Sequence, residues 1–443
     1  MSDRSQVGRD PNRSARSAIG VERVVIIDDY STARGGATAL SLLSAKLFRS
    51  SDIPATYICG DDGVNAELAA IGVSVIPLHG RDLMNAERTK AFVTGIYNIC
   101  AARMIAAWIL ANDTPHTAYH VHGWSKILSP AVFSALGPVA RRCVVHAHDF
   151  FMACPNGAFF DYQAQEICLR RPLGVGCMAT TCDKRSYPHK LWRAARSWNV
   201  VRLLRNHGEF GRIILPHEKM ASFFLKAGFQ PERLKTIRNP VARFSAERVA
   251  AESNDEFIFI GRLDEEKGVE DAVAATRRAG ARLCVIGDGP LMKRVATAGE
   301  HVRTLGWKSH AEIGSIIRQA SALLMPSRYP EPFGLVAIEA AGCGIPVILS
   351  RSAFLAEEMQ AAGIALSCDT KDERAFSDTL TTFRRMPKHE VRQMSERAFR
   401  LSQNLASTHE EWRDALLAQY SSLTSESMAL RPSDALIVSG ASR

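Results

Sequence analysis

Residues 322–350 constrain the fold of this chain more than any other part of its sequence. They open with an apolar run, residues 322–325, which is short enough to be one buried strand. Three prolines follow, so residues 327–333 are predicted to form a loop. A helix is predicted from Gly334 to the G-C-G sequence at 342–344, and the next apolar run predicts a second strand. Strand, loop, helix and strand in this order form one unit of a parallel α/β sheet, whose ligands bind at the carboxyl ends of the strands.

The predicted helix start has the properties of a phosphate-binding site. The N–H groups of Gly334, Leu335 and Val336 would be free there, at the positive end of the helix dipole. Glu331 in the loop and Glu339 about one turn into the helix could accept hydrogen bonds from sugar hydroxyls on either side of a diphosphate. The alternative is that Glu339 complements the helix dipole and Glu331 is a solvated loop charge.

These two glutamates also carry a family resemblance. Glu331 and Glu339 are separated by seven residues and followed by A-A-G-C-G-I-P-V, which resembles the E-x7-E motif of retaining glycosyltransferases of family GT4. The resemblance covers residues 21–422 and implies the GT-B fold, in which two Rossmann-like, doubly wound α/β domains face each other across a cleft. It further implies a hexosyltransferase-type enzyme that moves a sugar from a nucleotide-diphosphate-sugar to an acceptor hydroxyl, with Glu331 positioning the transferred sugar.

The length of 443 residues favours two domains. Residues 1–20 are polar and arginine-rich, which is typical of a disordered arm rather than a secretion signal. The predicted order is an arm at 1–20, an acceptor-side Rossmann-like domain at 21–241, a nucleotide-sugar-binding Rossmann-like domain at 242–408, a helix at 409–423 that crosses back to the first domain, and a disordered tail at 424–443.

The first predicted strand is followed by a loop that ends in Gly35-Gly36, where a helix is predicted to begin. Glycine at this junction lets a phosphate or sugar approach the backbone. The resemblance implies that Gly36 faces the acceptor and the transferred sugar, and the alternative is an ordinary tight turn. The loop lacks a G-x-G-x-x-G sequence, which argues against a dinucleotide-dependent oxidoreductase.

Histidines stand at the ends of two further predicted strands. His120 and His122 stand at the end of the strand predicted at residues 118–121, and His146 and His148 at the end of the strand predicted at 143–146. A histidine at a strand end can donate to sugar hydroxyls, and a neighbouring carboxylate such as Asp149 can fix its tautomer. The resemblance implies that His148 lies beside the donor sugar, whereas the alternative is that all four are interior hydrogen-bonding residues.

In the second half, Arg262 and Lys267 leave the same predicted strand-end loop. Both cations can therefore converge on one diphosphate, the arginine with two hydrogen bonds and the lysine as a point charge. They resemble the G-R-L…K-G pair of the family. The alternative is a solvated turn in which Glu265 and Glu266 neutralise Lys267.

An insert at about residues 151–187 concentrates four of the ten cysteines. Clustered cysteines in a reducing compartment bind metal or remain free more often than they form disulfides. The spacings fit no standard zinc module, so structural zinc and free thiols both stay open. The predicted role of the insert is to shape acceptor choice, and its cysteines are Cys154, Cys168, Cys177 and Cys182.

The net charge of +9 fits a polyphosphate substrate, an anionic membrane or nucleic acid. The sequence lacks RNA-binding motifs and zinc fingers, which disfavours nucleic acid. Residues 189–206 are predicted to form a basic, aromatic helix. Such a helix could rest on an anionic bilayer that carries a lipid-linked acceptor. The alternative is that its tryptophans face the protein core. No run of about twenty apolar residues occurs, so a cytoplasmic protein, peripheral at the inner face of the membrane, is predicted.

The predicted function is therefore a retaining, metal-independent glycosyltransferase of polysaccharide or glycolipid biosynthesis. Its acceptor would be a saccharide or a lipid-linked sugar, and the leaving phosphate would itself accept the acceptor proton. A nucleotide-sugar epimerase of the same fold is one alternative, and it needs an additional acid/base pair beside the sugar. A non-catalytic nucleotide-sugar-binding protein or membrane-surface adaptor is the other.

Overall fold

The computed structural model describes residues 20–206 and 210–430. Most of the predicted arm, residues 1–19, and most of the predicted tail, residues 431–443, lie outside the described part of the chain. Two parallel sheets divide the described residues, and helices cover both faces of each sheet. This is the doubly wound arrangement that the alternating strand and helix patterns predict.

The first sheet has seven strands in the order β3-β2-β1-β4-β5-β8-β9. Its strands are β1 (Arg23–Asp28), β2 (Ala55–Cys59), β3 (Ser74–Pro77), β4 (Thr117–Val121), β5 (Cys143–His146), β8 (Arg212–Leu215) and β9 (Leu234–Thr236), and the insert adds an antiparallel pair, β6 (Phe160–Asp161) and β7 (Glu166–Ile167). The helices of this half are α1 (Gly36–Ser50), α2 (Ala66–Ala70), α3 (Arg88–Ile96), α4 (Ile99–Asn112), α5 (Ala131–Ala135), α6 (Val175–Ala179), α7 (Tyr187–Asn206) and α8 (Met220–Lys226). Since every pair in the sheet is parallel, all seven carboxyl ends lie at one edge.

The second sheet has six parallel strands in the order β12-β11-β10-β13-β14-β15. Its strands are β10 (Glu256–Ile260), β11 (Arg282–Ile286), β12 (Val302–Thr304), β13 (Ala320–Met325), β14 (Val347–Ser350) and β15 (Ala365–Cys368). Its helices are α9 (Val269–Arg278), α10 (Met292–Ala296), α11 (His310–Ile316), α12 (Leu335–Gly342), α13 (Ala356–Ala361), α14 (Glu373–Arg385) and α15 (Lys388–Leu401). The strand order places β10 beside β13, so the two loops predicted to bind the donor are neighbours.

The apolar pattern of residues 89–112 predicts one long helix, but the structure has two helices there. Tyr97 is extended between α3 and α4, and the Asn98 side chain accepts a hydrogen bond from Ala101 N–H to cap α4. Among the helices of residues 20–206 and 210–430, none alone is long and apolar enough to cross a membrane. The pair α3 and α4 meets that requirement only when taken together across a 43° bend.

The last helix, α16 (His409–Ala429), packs on the first domain. It begins with a capping box between Thr408 and Glu411. Its buried face includes Tyr420, whose ring meets Phe48 of α1 edge to face at 5.7 Å. The predicted end at 423 is too early, because the buried Thr424 hydroxyl donates to Gly20 O at 3.1 Å and the helix continues through Ala429.

Ion pairs join the two domains next to the connection between them. Arg238 donates to Glu358 of α13 at 2.7 Å, and Lys219 donates to Glu357 at 2.7 Å. These contacts hold the carboxyl edges of the two sheets toward each other across a cleft. Because these pairs are partly or fully exposed, solvent screens them and they contribute little to stability.

Candidate active site

Lys267 and Glu331 form an ion pair between the loops that follow β10 and β13. The Lys267 ammonium donates to both Glu331 oxygens, at 2.9 Å and 2.7 Å, and to the Tyr329 hydroxyl at 3.1 Å. Ser327 Oγ donates to the same carboxylate at 2.7 Å. Glu331 is buried, with a side chain only 10% exposed. The interpretation of Lys267 as a partner of neighbouring glutamates in a solvated turn is therefore wrong.

The charge of Glu331 depends on these donors. Burial alone would raise its pKa, but the charge of Lys267 and the hydrogen bonds from Lys267, Ser327 and Tyr329 together lower it below the ordinary value. The carboxylate is therefore ionised at neutral pH. An ionised, buried acceptor with fixed geometry can hold sugar hydroxyls in one orientation.

Arg262 lies on the same loop as Lys267 and remains largely accessible, with its side chain 60% exposed. It contacts Asp264 at 3.0 Å and Glu266 at 3.5 Å. Lys184 of the insert reaches the same two carboxylates, at 3.2 Å and 3.0 Å. Two cations thus share two carboxylates, which leaves Arg262 donors available for a ligand in the cleft.

Gly268 brings the Lys267 loop against the end of β13. Its backbone has φ +70°, and a Cβ placed on it would lie 2.1 Å from Pro326 O. Only glycine allows that approach. The K-G dipeptide therefore sets the position of the Lys267 ammonium over the neighbouring loop.

The start of α12 adjoins Glu331, as the sequence predicts. Gly334 precedes the first helical residue, Leu335, and adopts the left-handed region with φ +67°. A Cβ on Gly334 would lie 3.7 Å from Glu331 Cγ, so the helix start and the carboxylate are neighbours. Leu335 and Val336 are half-buried, and the first N–H groups of a helix have no partner within it. This arrangement can receive a phosphate oxygen.

Gly36 faces the same helix from the first domain. A Cβ on Gly36 would lie 2.7 Å from Leu335 Cδ1. The glycine loop at the start of α1 and the start of α12 are therefore in close contact across the cleft. A side chain at position 36 would require the Leu335 side chain to move away.

His148 is half-buried, and its Nε2 lies 3.0 Å from His122 Nδ1. Its ring stacks on His146 at 4.3 Å. Burial lowers the pKa of His148 and of His122 well below the ordinary value, so both are neutral at pH 7. The expectation that Asp149 fixes the tautomer is wrong, since Asp149 Oδ1 accepts from Phe151 N–H at 2.8 Å and His122 is the partner of the imidazole.

The loop that carries His148 faces the cationic loop of the second domain. Desolvation in the cleft raises the pKa of Asp149, and the positive charges of Lys126, Arg196 and Arg262 oppose that rise. Arg262 therefore lies within electrostatic range of the residue next to His148. The carboxyl edges of both sheets contribute to one cleft.

Glu339 lies farther along α12 and is half-buried. His310 Nε2 lies 3.7 Å from its Oε1, and the nearby Glu339 carboxylate raises the pKa of His310 above the ordinary value. The His310 ring packs on Phe244 at 4.6 Å. Sequence reasoning did not find His310, which begins the capped helix α11 and has no motif around it.

The insert lies against the donor-side loops of the second domain. Tyr329 packs on an apolar group of the insert formed by Ala158, Phe160 and Tyr162. Gln165 donates to Glu265 at 2.6 Å, and Arg328 donates to Gln165 at 2.8 Å. The sequence placed this insert at the acceptor side, whereas the structure shows that it also closes the Lys267 side of the cleft.

The four insert cysteines are buried free thiols. Cys154 Sγ donates to Asn156 Oδ1 at 3.2 Å, and burial raises the pKa of Cys154 to about 12. Within residues 20–206 and 210–430, no group of three ligand atoms within 4.8 Å of one another includes a cysteine.

Two doubly wound domains face each other across a cleft. One side of the cleft carries a buried Lys–Glu pair, an accessible arginine and a glycine-capped helix start. Together these features define a glycosyltransferase of the GT-B fold. Residues 242–400 match the family model described as Glycosyl transferases group 1. The second domain is therefore similar to the group 1 glycosyltransferases.

Relatives are similar to the chain in sequence, and a solved structure is similar to it in fold. A glycogen synthase of Mycobacterium tuberculosis is 28% identical over 340 residues, which cover 70% of this chain and 77% of the relative. A GDP-mannose-dependent alpha-(1-6)-phosphatidylinositol dimannoside mannosyltransferase of the same species is 34% identical over 150 residues, covering 32% of this chain and 39% of the relative. The crystal structure of Anabaena HepE in complex with UDP and glucose superposes with a TM-score of 0.61 at 15% identity, covering 92% of this chain and 99% of that one.

Proposed function

We propose that the protein is a retaining glycosyltransferase of the GT4 type, which transfers a hexose from a nucleotide-diphosphate-sugar to an acceptor hydroxyl in polysaccharide or glycolipid biosynthesis. The observation that carries this proposal is the buried Lys267–Glu331 pair beside the glycine-capped start of α12. Arg262 flanks the pair, and Gly36 and His148 belong to the opposite domain.

Each group has a role in the proposed reaction. Arg262, Lys267 and the first N–H groups of α12 stabilise negative charge on the diphosphate as the bond to the sugar breaks. Removing one such donor typically costs about 3 kcal/mol of transition-state stabilisation. Glu331 orients the sugar, His148 donates to its hydroxyls, and Glu339 with His310 binds the nucleoside end.

The acceptor hydroxyl attacks the face that the diphosphate leaves, so the configuration at the anomeric carbon is retained. Its proton passes to the departing phosphate oxygen, which removes the need for a separate base. The charge on the leaving group is matched by protein cations, so this chemistry requires no metal ion. Exclusion of water by the closed cleft protects the reacting sugar from hydrolysis.

The printed names of similar proteins support a nucleotide-sugar donor. HepE was solved with UDP and glucose, and one relative is named as dependent on GDP-mannose. The donor of this chain is proposed to come from the same chemical class, with a saccharide or a lipid-linked sugar as acceptor.

We also propose a cytoplasmic site of action, at the inner face of a membrane. The most exposed aromatic residue of helix α7 is Trp198, which is 60% exposed and carries Arg202 over its ring at 5.7 Å. Much of the helix faces inward, since Lys190 and Arg196 are buried. The membrane contact is therefore narrower than the sequence pattern predicts, and Trp198→Ala should reduce binding to vesicles containing anionic lipid.

A thermal-shift panel of UDP, GDP and ADP, each with and without its sugar, identifies the donor. The correct nucleotide should raise the melting temperature in a concentration-dependent way, because a ligand that binds only the folded state stabilises it by mass action. Proton NMR of the product formed with that donor and an acceptor then reports the anomeric configuration. An inverted product, or epimerised donor formed without acceptor, would contradict the proposal.

A further inference from the structure

Three buried histidine rings converge at the carboxyl ends of β4 and β5. His120 and His122 lie at the end of β4, and His146 is the last residue of β5. Their residues are 0%, 5% and 2% exposed, respectively. One ring nitrogen from each residue lies within 4.8 Å of the corresponding atoms of the other two.

Each of these rings uses one nitrogen in a hydrogen bond. His120 Nδ1 lies 2.6 Å from the Tyr420 hydroxyl, His122 Nδ1 lies 3.0 Å from His148 Nε2, and His146 Nε2 lies 3.1 Å from Asn239 Oδ1. The remaining nitrogens have no hydrogen-bond partner among the described residues, although they are buried: His120 Nε2, His122 Nε2 and His146 Nδ1. Buried polar atoms are normally paired, so three unpaired nitrogens in one cluster call for a physical explanation.

Asn239 identifies the protonation state of one ring. Its amide oxygen can only accept, so His146 Nε2 carries the ring proton and His146 Nδ1 offers a lone pair. Metal-binding histidines usually have this arrangement, in which an acceptor holds the outer N–H and the inner nitrogen faces the metal. Tyr420 and His148 occupy the equivalent outer positions on His120 and His122.

The spacing is close to that of a metal site. Zinc binds histidine nitrogen at about 2.0–2.1 Å, so the nitrogens of a tetrahedral site are about 3.4 Å apart. One ligand atom of each residue lies within 4.8 Å of those of the other two, so a bound ion would draw these nitrogens closer together. Imidazole ligands suit zinc, copper, nickel and iron, whereas calcium and magnesium prefer oxygen.

We propose that His120, His122 and His146 bind one divalent transition-metal ion of the zinc type. The ion holds together β4, β5, the interdomain connection through Asn239 and the last helix through Tyr420. It is a positioning element and lies apart from the Lys267 and Arg262 loop.

The ion also acts on His148, and this step rests on the proposed function. With His122 Nε2 on the metal, His122 Nδ1 carries the proton and donates to His148 Nε2. His148 then has its proton on Nδ1. One bound ion therefore fixes the tautomer of the imidazole that we assign to the donor sugar.

The second group of this kind in the described residues is already neutralised. His217, Glu218 and Glu358 also bring ligand atoms within 4.8 Å of one another. Arg238 pairs with both glutamates, and His217 Nε2 lies 2.9 Å from Glu358 Oε1. Protein cations occupy the place of a metal ion there, so that group carries no proposal.

Cobalt spectroscopy on the full chain tests the proposed site. The protein is purified with a histidine-free tag, stripped with a chelator and titrated with Co²⁺. We expect one equivalent to bind with visible d–d absorption and without a thiolate-to-cobalt charge-transfer band, and Zn²⁺ to displace it. His120→Asn and His146→Asn should each weaken binding at least 100-fold, and Asn239→Ala should weaken it about 10–100-fold, as outer ligands do.

Two variants serve as controls. His389→Gln alters an exposed histidine, and Cys168→Ser alters the insert thiols, so both should bind Co²⁺ as the parent does. The proposal is overturned if the stripped parent binds no stoichiometric Co²⁺, which indicates an internal water at the cluster. It is also overturned if the spectrum shows thiolate ligation that Cys168→Ser removes. Wild-type binding by the two histidine variants would overturn it as well. Donor binding, measured by thermal shift on the same samples, separates this result from any failure of the proposed function.

Discussion

Replacing Lys267 with methionine removes the cation of the buried pair but keeps most of its apolar volume. Glu331 would then be a buried carboxylate held by Ser327 and Tyr329. Removing one partner of a fully buried pair costs 3–5 kcal/mol. The Lys267 side chain is 23% exposed and that of Glu331 is 10% exposed, so we expect about 2–3 kcal/mol at pH 7.5.

Thermal unfolding of the second domain measures this loss. A destabilisation of about 2–3 kcal/mol lowers the melting temperature of a domain of this size by about 5–10 °C. Glu331→Gln keeps the size of the side chain and removes its charge. The double variant, with both substitutions, should recover at least half of the loss because no unpaired charge remains.

The pH dependence of the loss has a defined sign. The pKa of Glu331 is lowered in the folded state. The ionised carboxylate therefore stabilises the protein at pH values above the ordinary glutamate pKa, and this stabilisation is lost as the pH falls through the pKa that Glu331 has in the folded protein. The difference in stability between the parent and Lys267→Met should therefore shrink at acidic pH. Additive effects in the double variant, or a difference that grows on acidification, would refute the assignment of Lys267 and Glu331 as a coupled pair.

Three further outcomes follow from the geometry of the cleft. Arg262→Ala should weaken nucleoside diphosphate binding about 10-fold in calorimetry while leaving the melting temperature within about 2 °C, since the side chain is 60% exposed. Gly268→Ala should lower stability by more than about 2 kcal/mol, because its Cβ would collide with Pro326 O. Gly280→Ala, with φ +58° and open space around it, should cost only about 1 kcal/mol in the same denaturation assay. Lys184→Ala should speed amide hydrogen exchange around residue 184, with a loss of folding stability below about 1 kcal/mol. Unchanged exchange there would show that other contacts hold the insert.

The second domain could be predicted well from the sequence because its signals are local. Prolines, glycines and apolar runs define the loop and helix around Gly334, and parallel sheet rules place the loops after β10 and β13 together. The sequence could not show that Lys267 and Glu331 bind each other, because that contact depends on tertiary distances. Helix α14 has strong helical periodicity but carries no motif that connects it with the site.

In the first domain, more of the contacts depend on tertiary structure and could not be predicted from local sequence patterns. Sequence spacing marks His120, His122, His146 and His148 as strand-end residues, but their stacking needs the parallel register of β4 and β5. The contact of Gly36 with α12 likewise needs the relative placement of two domains. A continuous helix was predicted across Tyr97 because apolar residues persist on both sides of it, and one extended residue interrupts the helix without changing that pattern.

Calorimetric titration tests the assignment of the cleft to a diphosphate most directly. The parent and Lys267→Met are each titrated with the nucleoside diphosphate that gives the largest thermal shift, and with the matching nucleoside monophosphate. We expect the parent to prefer the diphosphate at least 10-fold and Lys267→Met to lose most of that preference while still binding the monophosphate. Equal affinity of the parent for both nucleotides, or an unchanged preference in Lys267→Met, would contradict the assignment of this cleft to a sugar-nucleotide diphosphate.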